Sequence, residues 1–265
     1  MVIIKIIDYH VHSYNSFDGK SDIDRICREA VKMKLEEICF TEHFSADPRD
    51  VSFEFLDYQK YTCEINDAQR KYQENLLIKK GLEIGEPHLA EYKNILDDFL
   101  KNMDIDFIIG SVHNINGVKF RLFMENKTKY DIYQGYFEEV YKMVKTADID
   151  VIGHMDLAKR YAFTEHGNYE IADHSEIINR ILEKAIERGI GLEVNCSGLR
   201  DKAGEIYPKI EILQLYKKLG GEIITIGSDS HDHMNLASNN PEVPDMLKKI
   251  GFNHICTFKN RKREF

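Results

Sequence analysis

With 265 residues and 43% hydrophobic content, the chain is long enough to bury a substantial core, as one large domain or two small ones. A formal net charge of −9 argues against binding nucleic acid through general charge, so any anionic ligand must be drawn in locally. No window approaches the roughly 18 uncharged apolar residues of a membrane span, and "MVIIKII" turns polar too soon for a signal peptide; a soluble, cytoplasmic protein with reduced, unpaired cysteines is expected.

In chain order, short β-rich runs alternate with longer stretches of helical period. The first run, "VIIKIIDYH", leads into His10 and His12, which share one face of a strand because strand side chains alternate. Asp18 follows in "NSFDGKSD", where Asp-Gly also reads as a simple turn. Ser21 with Asp24 reads as a capping box opening a helix whose apolar stripe is Ile23, Ile26, Cys27, Ala30 and Val31. The second run, "LEEICFTEH", ends in His43, the third, "NLLIKKGLEIG", carries Glu83, and the fourth, "FIIGSVHN", carries His113.

Tyr130, Tyr133, Tyr136, Phe137, Val140, Tyr141 and Val144 then fall at helical spacing, as expected for a core-facing helix rather than a ligand platform. The fifth run, "DVIGHMD", carries His154 and is followed by Arg160. A helix announced by Asp173 and Glu176 leads to the sixth run, "IGLEVNCSG", which alone offers no ligand but is followed by Arg200. Pro208 suits the first turn of a helix stopped by Gly220 and Gly221, and the seventh run, "EIITIGSDSH", supplies Asp229 and His231. The tail "KNRKREF" reads as a frayed, solvated terminus. No linker or repeat interrupts the pattern, so a single α/β domain spanning 1–265 with a parallel sheet is expected.

One strand-end histidine is more often a hydrogen-bonded rim residue than a ligand. Six of the 11 histidines at corresponding strand ends, with Glu83 and Asp229, are a different matter. An open sheet would spread these ends along an edge, whereas a closed barrel makes them converge on one mouth. Imidazole and carboxylate suit Zn, Fe or Mn, and roughly nine such ligands exceed the needs of one ion but match two or three. Bridged ions can hold a hydroxide as nucleophile. After ligand charges are counted, roughly two positive charges remain at such a centre, a match for a phosphomonoester dianion. Arginines such as Arg160 and Arg200 bind phosphate oxygens through their guanidinium forks.

The motifs "HVH", "TEH", "GLEIG", "SVHN", "GHMD" and "GSDSH" together resemble those of the PHP (polymerase and histidinol phosphatase) superfamily, most of all its monofunctional histidinol-phosphatase branch. The resemblance implies a distorted (β/α)7 TIM-like barrel with three divalent metal ions at its C-terminal mouth. It implies that His10, His12, Glu83 and Asp229 hold one ion, that Glu83 bridges to a second held by His113 and His154, and that Asp18, His43 and His231 hold the third. The implied reaction is hydrolysis of L-histidinol phosphate in histidine biosynthesis. Arg160 and Arg200 would bind the phosphate, a metal-bound water, Asp229 or His231 would protonate the leaving group, and Glu42 and Asp47, the latter within the loop "FSADPRDVSFEF", would meet an amino or imidazole group. An amidohydrolase-type deacylase or deaminase, a phosphoesterase for another small phosphomonoester or nucleotide, and a noncatalytic metal sensor remain as alternatives.

Overall fold

The computed structural model describes residues 6–264. Strands β1 (Ile7–Val11), β2 (Glu37–Phe44), β3 (Leu77–Gly85) and β4 (Phe107–Ser111) alternate with helices α1 (Ile23–Lys32), α2 (Tyr58–Tyr72) and α3 (Lys93–Leu100). A small hairpin, β5 (Asn114–Ile115) and β6 (Val118–Lys119), with the short helix α4 (Phe120–Phe123), then lies over the strand ends. Helix α5 (Lys129–Thr146), β7 (Val151–Ile152), α6 (Ala158–His166), α7 (Ser175–Arg188), β8 (Gly191–Asn195), α8 (Ile210–Lys218), β9 (Ile224–Gly227) and α9 (Val243–Ile250) complete the alternation. The chain ends in an antiparallel hairpin, β10 (Thr257–Lys259) and β11 (Lys262–Glu264).

The seven parallel strands pair in the order β1-β2-β3-β4-β7-β8-β9. Past the end of β9, Ser230 donates its N–H to the His10 carbonyl at 3.3 Å and accepts from the His12 N–H at 2.8 Å, so the sheet nearly closes on itself. This is the distorted seven-stranded barrel that the family resemblance implies, built on the parallel sheet that the alternation predicts. No described helix is long and apolar enough to cross a membrane.

Side chains of odd number fill the lower interior: Ile7, Tyr9, Cys39, Phe107, Ile109, Val151 and Ile223 form one buried cluster with Cys256 and Phe258 of the terminal segment. If β1 kept this alternation, His10 and His12 would point outward. The pairing of β1 with β2 instead slips between Asp8 and Val11, where an extra residue on β1 makes a bulge. A bulge turns successive side chains toward one side. Below it Ile7 and Tyr9 face in; above it His10 and His12 do, while Val11 packs against α1.

The helix starts differ in detail from the sequence reading. Asp22, not Ser21, caps α1 by accepting from the Arg25 N–H, because the Ser21 hydroxyl is bonded to His233. Helix α7 starts at Ser175 after a single 3-10 turn, without a side-chain cap from Asp173. Pro208 precedes α8 by two residues and follows a cis bond. On α5, Tyr133, Tyr136, Phe137, Val140 and Val144 are buried as expected, but Tyr130 is exposed.

The basic tail is not a loose end. Cys256 donates its N–H to the Ile224 carbonyl at 2.8 Å, and Phe258 donates to the Tyr9 hydroxyl at 3.0 Å. Arg261 pairs with Asp150 at 2.5 Å and Asp148 at 3.2 Å, and Asp106 receives the Asn260 N–H. The acidic starts of β4 and β7 draw the cationic turn in, and Phe258 plugs the lower opening.

Candidate metal centre and phosphate cleft

Every inward strand end at the upper mouth carries a polar group, and Glu83 sits at their centre, buried on β3. Its Oε2 lies 3.2 Å from His10 Nε2, 3.4 Å from His12 Nε2 and 3.0 Å from His43 Nδ1. Its Oε1 lies 2.8 Å from His154 Nε2 and 3.4 Å from His113 Nε2. One carboxylate thus offers a separate oxygen to each of two groups of imidazoles. Asp229 Oδ1 stands 3.7 Å from both His10 and His12. Asp18 reaches His231 at 3.1 Å and His43 at 3.6 Å from the loop after β1.

All nine expected ligands therefore gather at one place. Three sets have donor atoms lying within 4.8 Å of one another: His10, His12 and Glu83; Glu83, His113 and His154; and His12, His43 and His231. The last brings His12 beside His43 and His231, both of which Asp18 also reaches; the His12 ring stacks on His43 at 4.1 Å. Two of these residues bend the backbone to get there. His154 and Asp229 have φ of 23° and 53°, a region that costs a residue with a Cβ and recurs at functional sites.

The electrostatics fit a cationic occupant. Burial alone would push Glu83 and Asp229 toward the neutral acid, yet the facing His10 and its neighbours hold both carboxyls well below the usual range. Burial disfavours charge on His43 as well, but Glu83 and Asp18 overcome it and raise the imidazole to about 10. His12 goes the other way, lowered by burial and then by the facing His43 and His231, as suits a neutral ligand. His10 Nε2 and His12 Nε2 are buried without a hydrogen-bond partner. Unpaired buried nitrogens converging on ionised carboxylates are what a divalent cation satisfies, because it takes the place of the protons.

A cleft of about 520 Å³ opens onto this cluster. Phe17, Phe44, Val51, Leu122 and Tyr161 give it an apolar wall, and Arg160 lines it beside Asp229. Arg160 donates to Asp201 at 2.9 Å, to the Ser197 hydroxyl at 2.6 Å and to Asp229 at 3.3 Å. Arg200 is held at 2.7 Å by the Ser228 carbonyl and lines an adjoining cleft with Lys20 and Arg160.

Two expected site residues do not face the cleft. Glu42 is fully buried, with both oxygens taken by the Ser13 N–H and the Ser13 and Ser16 hydroxyls. The strand alternation that turns His43 inward turns Glu42 the other way. Asp47 is buried in a two-pronged pair with Arg49. The acid of this loop that does line the cleft is Asp50, fixed by Ser52 and Asn114. Glu193 went unnoticed in the sequence, though a carboxylate inside the apolar run "GLEVN" of a buried strand was a usable signal. Its Oε1 meets His10 Nδ1 at 2.5 Å, and its Oε2 accepts the His154 N–H at 2.8 Å.

Comparison with known proteins places the chain in a family. The family model of the PHP domain matches residues 8–197. The histidinol-phosphatase of Lactococcus lactis subsp. lactis (strain IL1403) is 31% identical over 270 residues, covering 98% of this chain and 96% of the relative. A probable histidinol-phosphatase of Thermotoga maritima is 26% identical, covering 95% of each. The crystal structure of the Lactococcus lactis histidinol phosphate phosphatase complexed with zinc, L-histidinol and phosphate is similar with a TM-score of 0.91 and 30% identity, over 99% of this chain and 100% of that one. The putative histidinol phosphatase of Listeria monocytogenes shares the fold at a TM-score of 0.74 and 21% identity, over 89% of this chain and 99% of its own.

Proposed function

The chain belongs to the PHP domain family, and from that premise we infer that it is a metal-dependent histidinol-phosphatase, hydrolysing L-histidinol phosphate to L-histidinol and phosphate. The observation that carries the reading is Glu83, one carboxylate with an oxygen turned to each of two imidazole groups, beside a cleft that Arg160 lines. His10, His12, Glu83 and Asp229 would hold one cation, Glu83, His113 and His154 a second, and His43, His231 and Asp18, with His12 close by, a third. Such ions, zinc being the one bound in the Lactococcus lactis structure, supply an activated water and neutralise phosphate charge.

The protein's own groups do the rest. Arg160 and Arg200 bind the phosphoryl oxygens and carry the charge that builds on them during in-line attack. Asp201 and Ser197 fix the plane of the Arg160 guanidinium beforehand, so little reorganisation remains at the moment of reaction. The apolar wall excludes water from the leaving group's side, and Asp50 provides a carboxylate for its amino or imidazole group. Of the two side chains expected to carry the proton, Asp229 fits better. Its Oδ2 faces Arg160 and Ser197, where the phosphate would lie, while both ring nitrogens of His231 face oxygens of Asp18 and Asp229. When phosphate engages Arg160, that cation's hold on Asp229 weakens, and the carboxylate becomes the stronger base. The proton that the activated water gives up would reach the leaving alkoxide through this carboxylate.

The test is phosphate release from L-histidinol phosphate, nucleotides and sugar phosphates by zinc-loaded protein, with a chelated sample alongside. L-histidinol phosphate should give the highest kcat/KM, and chelation should abolish turnover. A fully metal-loaded protein inert toward every phosphomonoester would overturn the reading, and a nucleotide preferred over L-histidinol phosphate would overturn the substrate.

A further inference from the structure

Strand β8 is the one for which the sequence offers no ligand, yet its inward carboxylate, Glu193, touches the heart of the cluster. It is buried at 1% exposure and does not line the cleft, so it does not meet substrate. Its Oε1 lies 2.5 Å from Nδ1 of His10, and its Oε2 accepts the His154 main-chain N–H at 2.8 Å and the Asn195 side-chain amide at 3.1 Å. We propose that Glu193 is a positioning residue for cation binding, fixing the tautomer and ring plane of His10 and anchoring the bent main chain of His154.

The chemistry is that of an acceptor-only group. An ionised carboxylate has no proton to give, so a neutral His10 beside it must carry its hydrogen on Nδ1 and keep its lone pair on Nε2. That second nitrogen is the buried, unpartnered one, 3.2 Å from Glu83 and 3.7 Å from Asp229. The other tautomer would bury two lone pairs against each other at Glu193 and turn an N–H toward the cation. At His154 the same carboxylate acts through the backbone. With φ at 23°, His154 sits in a costly region, and the bond from its N–H is one of those that keep it there. One buried group on β8 thus steadies a histidine of each imidazole set that shares Glu83.

The inference rests on the metal-centre reading, and the experiment separates the two. Metal-free full-length protein is titrated with zinc against a competing chelator for wild type, His10→Ala, Glu193→Gln and the double variant, with thermal melting of each metal-free sample. Glu193→Gln should weaken zinc binding about 10–100-fold with little change in the metal-free melting temperature, since outer-shell partners of ligating histidines carry effects of that size. Because Glu193 acts largely through His10, the double variant should bind zinc nearly as well as His10→Ala alone. Fully multiplicative losses, or unchanged zinc affinity in Glu193→Gln, would overturn the proposal. Glu193→Asp keeps the charge but shortens the reach; it should lose affinity too, and full affinity there would equally overturn it. If His10→Ala itself kept wild-type zinc binding, the metal-centre reading would be at fault instead.

Discussion

The two ends of the barrel use buried charge in opposite ways. At the lower end, Asp150 accepts the Ile108 N–H at 2.7 Å and pairs with Arg261, Asp106 accepts from Asn260, and Phe258 closes the opening over an apolar floor. Charges there are answered from within the chain. At the mouth, Glu83 and Asp229 face imidazoles of which the Nε2 atoms of His10 and His12 have no hydrogen-bond partner, and two backbones are bent into costly conformations. Charges there converge on donor atoms that suit a cation. The lower end therefore serves stability and the mouth serves chemistry, a division also expected from the two faces of parallel barrels.

The strongest way to break this contrast is Glu83→Gln. Removing the shared carboxylate should lower kcat/KM at least about 10⁴-fold, roughly 5 kcal/mol of transition-state stabilisation, while the metal-free protein melts within a few degrees of wild type. A large drop in metal-free stability would show that the mouth carries the fold as well. Phe258→Ala is the converse, truncating a buried aromatic that plugs the floor. It should cost about 3–5 kcal/mol in denaturant unfolding, with kcat/KM near wild type under native conditions. Lost activity in a still-folded sample would mean that the plug sets the geometry of the mouth. The smallest expected effect sharpens the mouth itself: Arg160→Ala should lower kcat/KM about 10²-fold, roughly 3 kcal/mol, with the zinc content unchanged. Unaltered kinetics would remove Arg160 from the phosphate site, and lost zinc would recast it as a support for Asp229.

The substrate side shows where sequence reasoning fell short. Glu42 lies next to His43 and looks available, but adjacent strand residues face opposite ways, and its carboxylate instead ties Ser13 and Ser16 beneath the loop after β1. Ser16 in turn meets His12 Nδ1 at 3.2 Å, so Glu42 stands two bonds behind the second histidine of "HVH". Asp47 looked equally available and is spent on Arg49. The basic tail "KNRKREF" looked solvated because its partners, Asp106, Asp148 and Asp150, lie more than a hundred residues away.

By itself the sequence determined the alternation of strands and helices, the donor types at the strand ends and the arginines that follow two of them. These are local properties: side-chain period, composition and spacing are written along the chain. Only the tertiary structure decided the bulge between Asp8 and Val11 that turns both histidines inward, the division of the two Glu83 oxygens, and the seat of Glu193 against His10, 183 positions away. Those depend on which strand ends meet when the sheet nearly closes, and the spacing of residues along the chain does not record distances across a barrel.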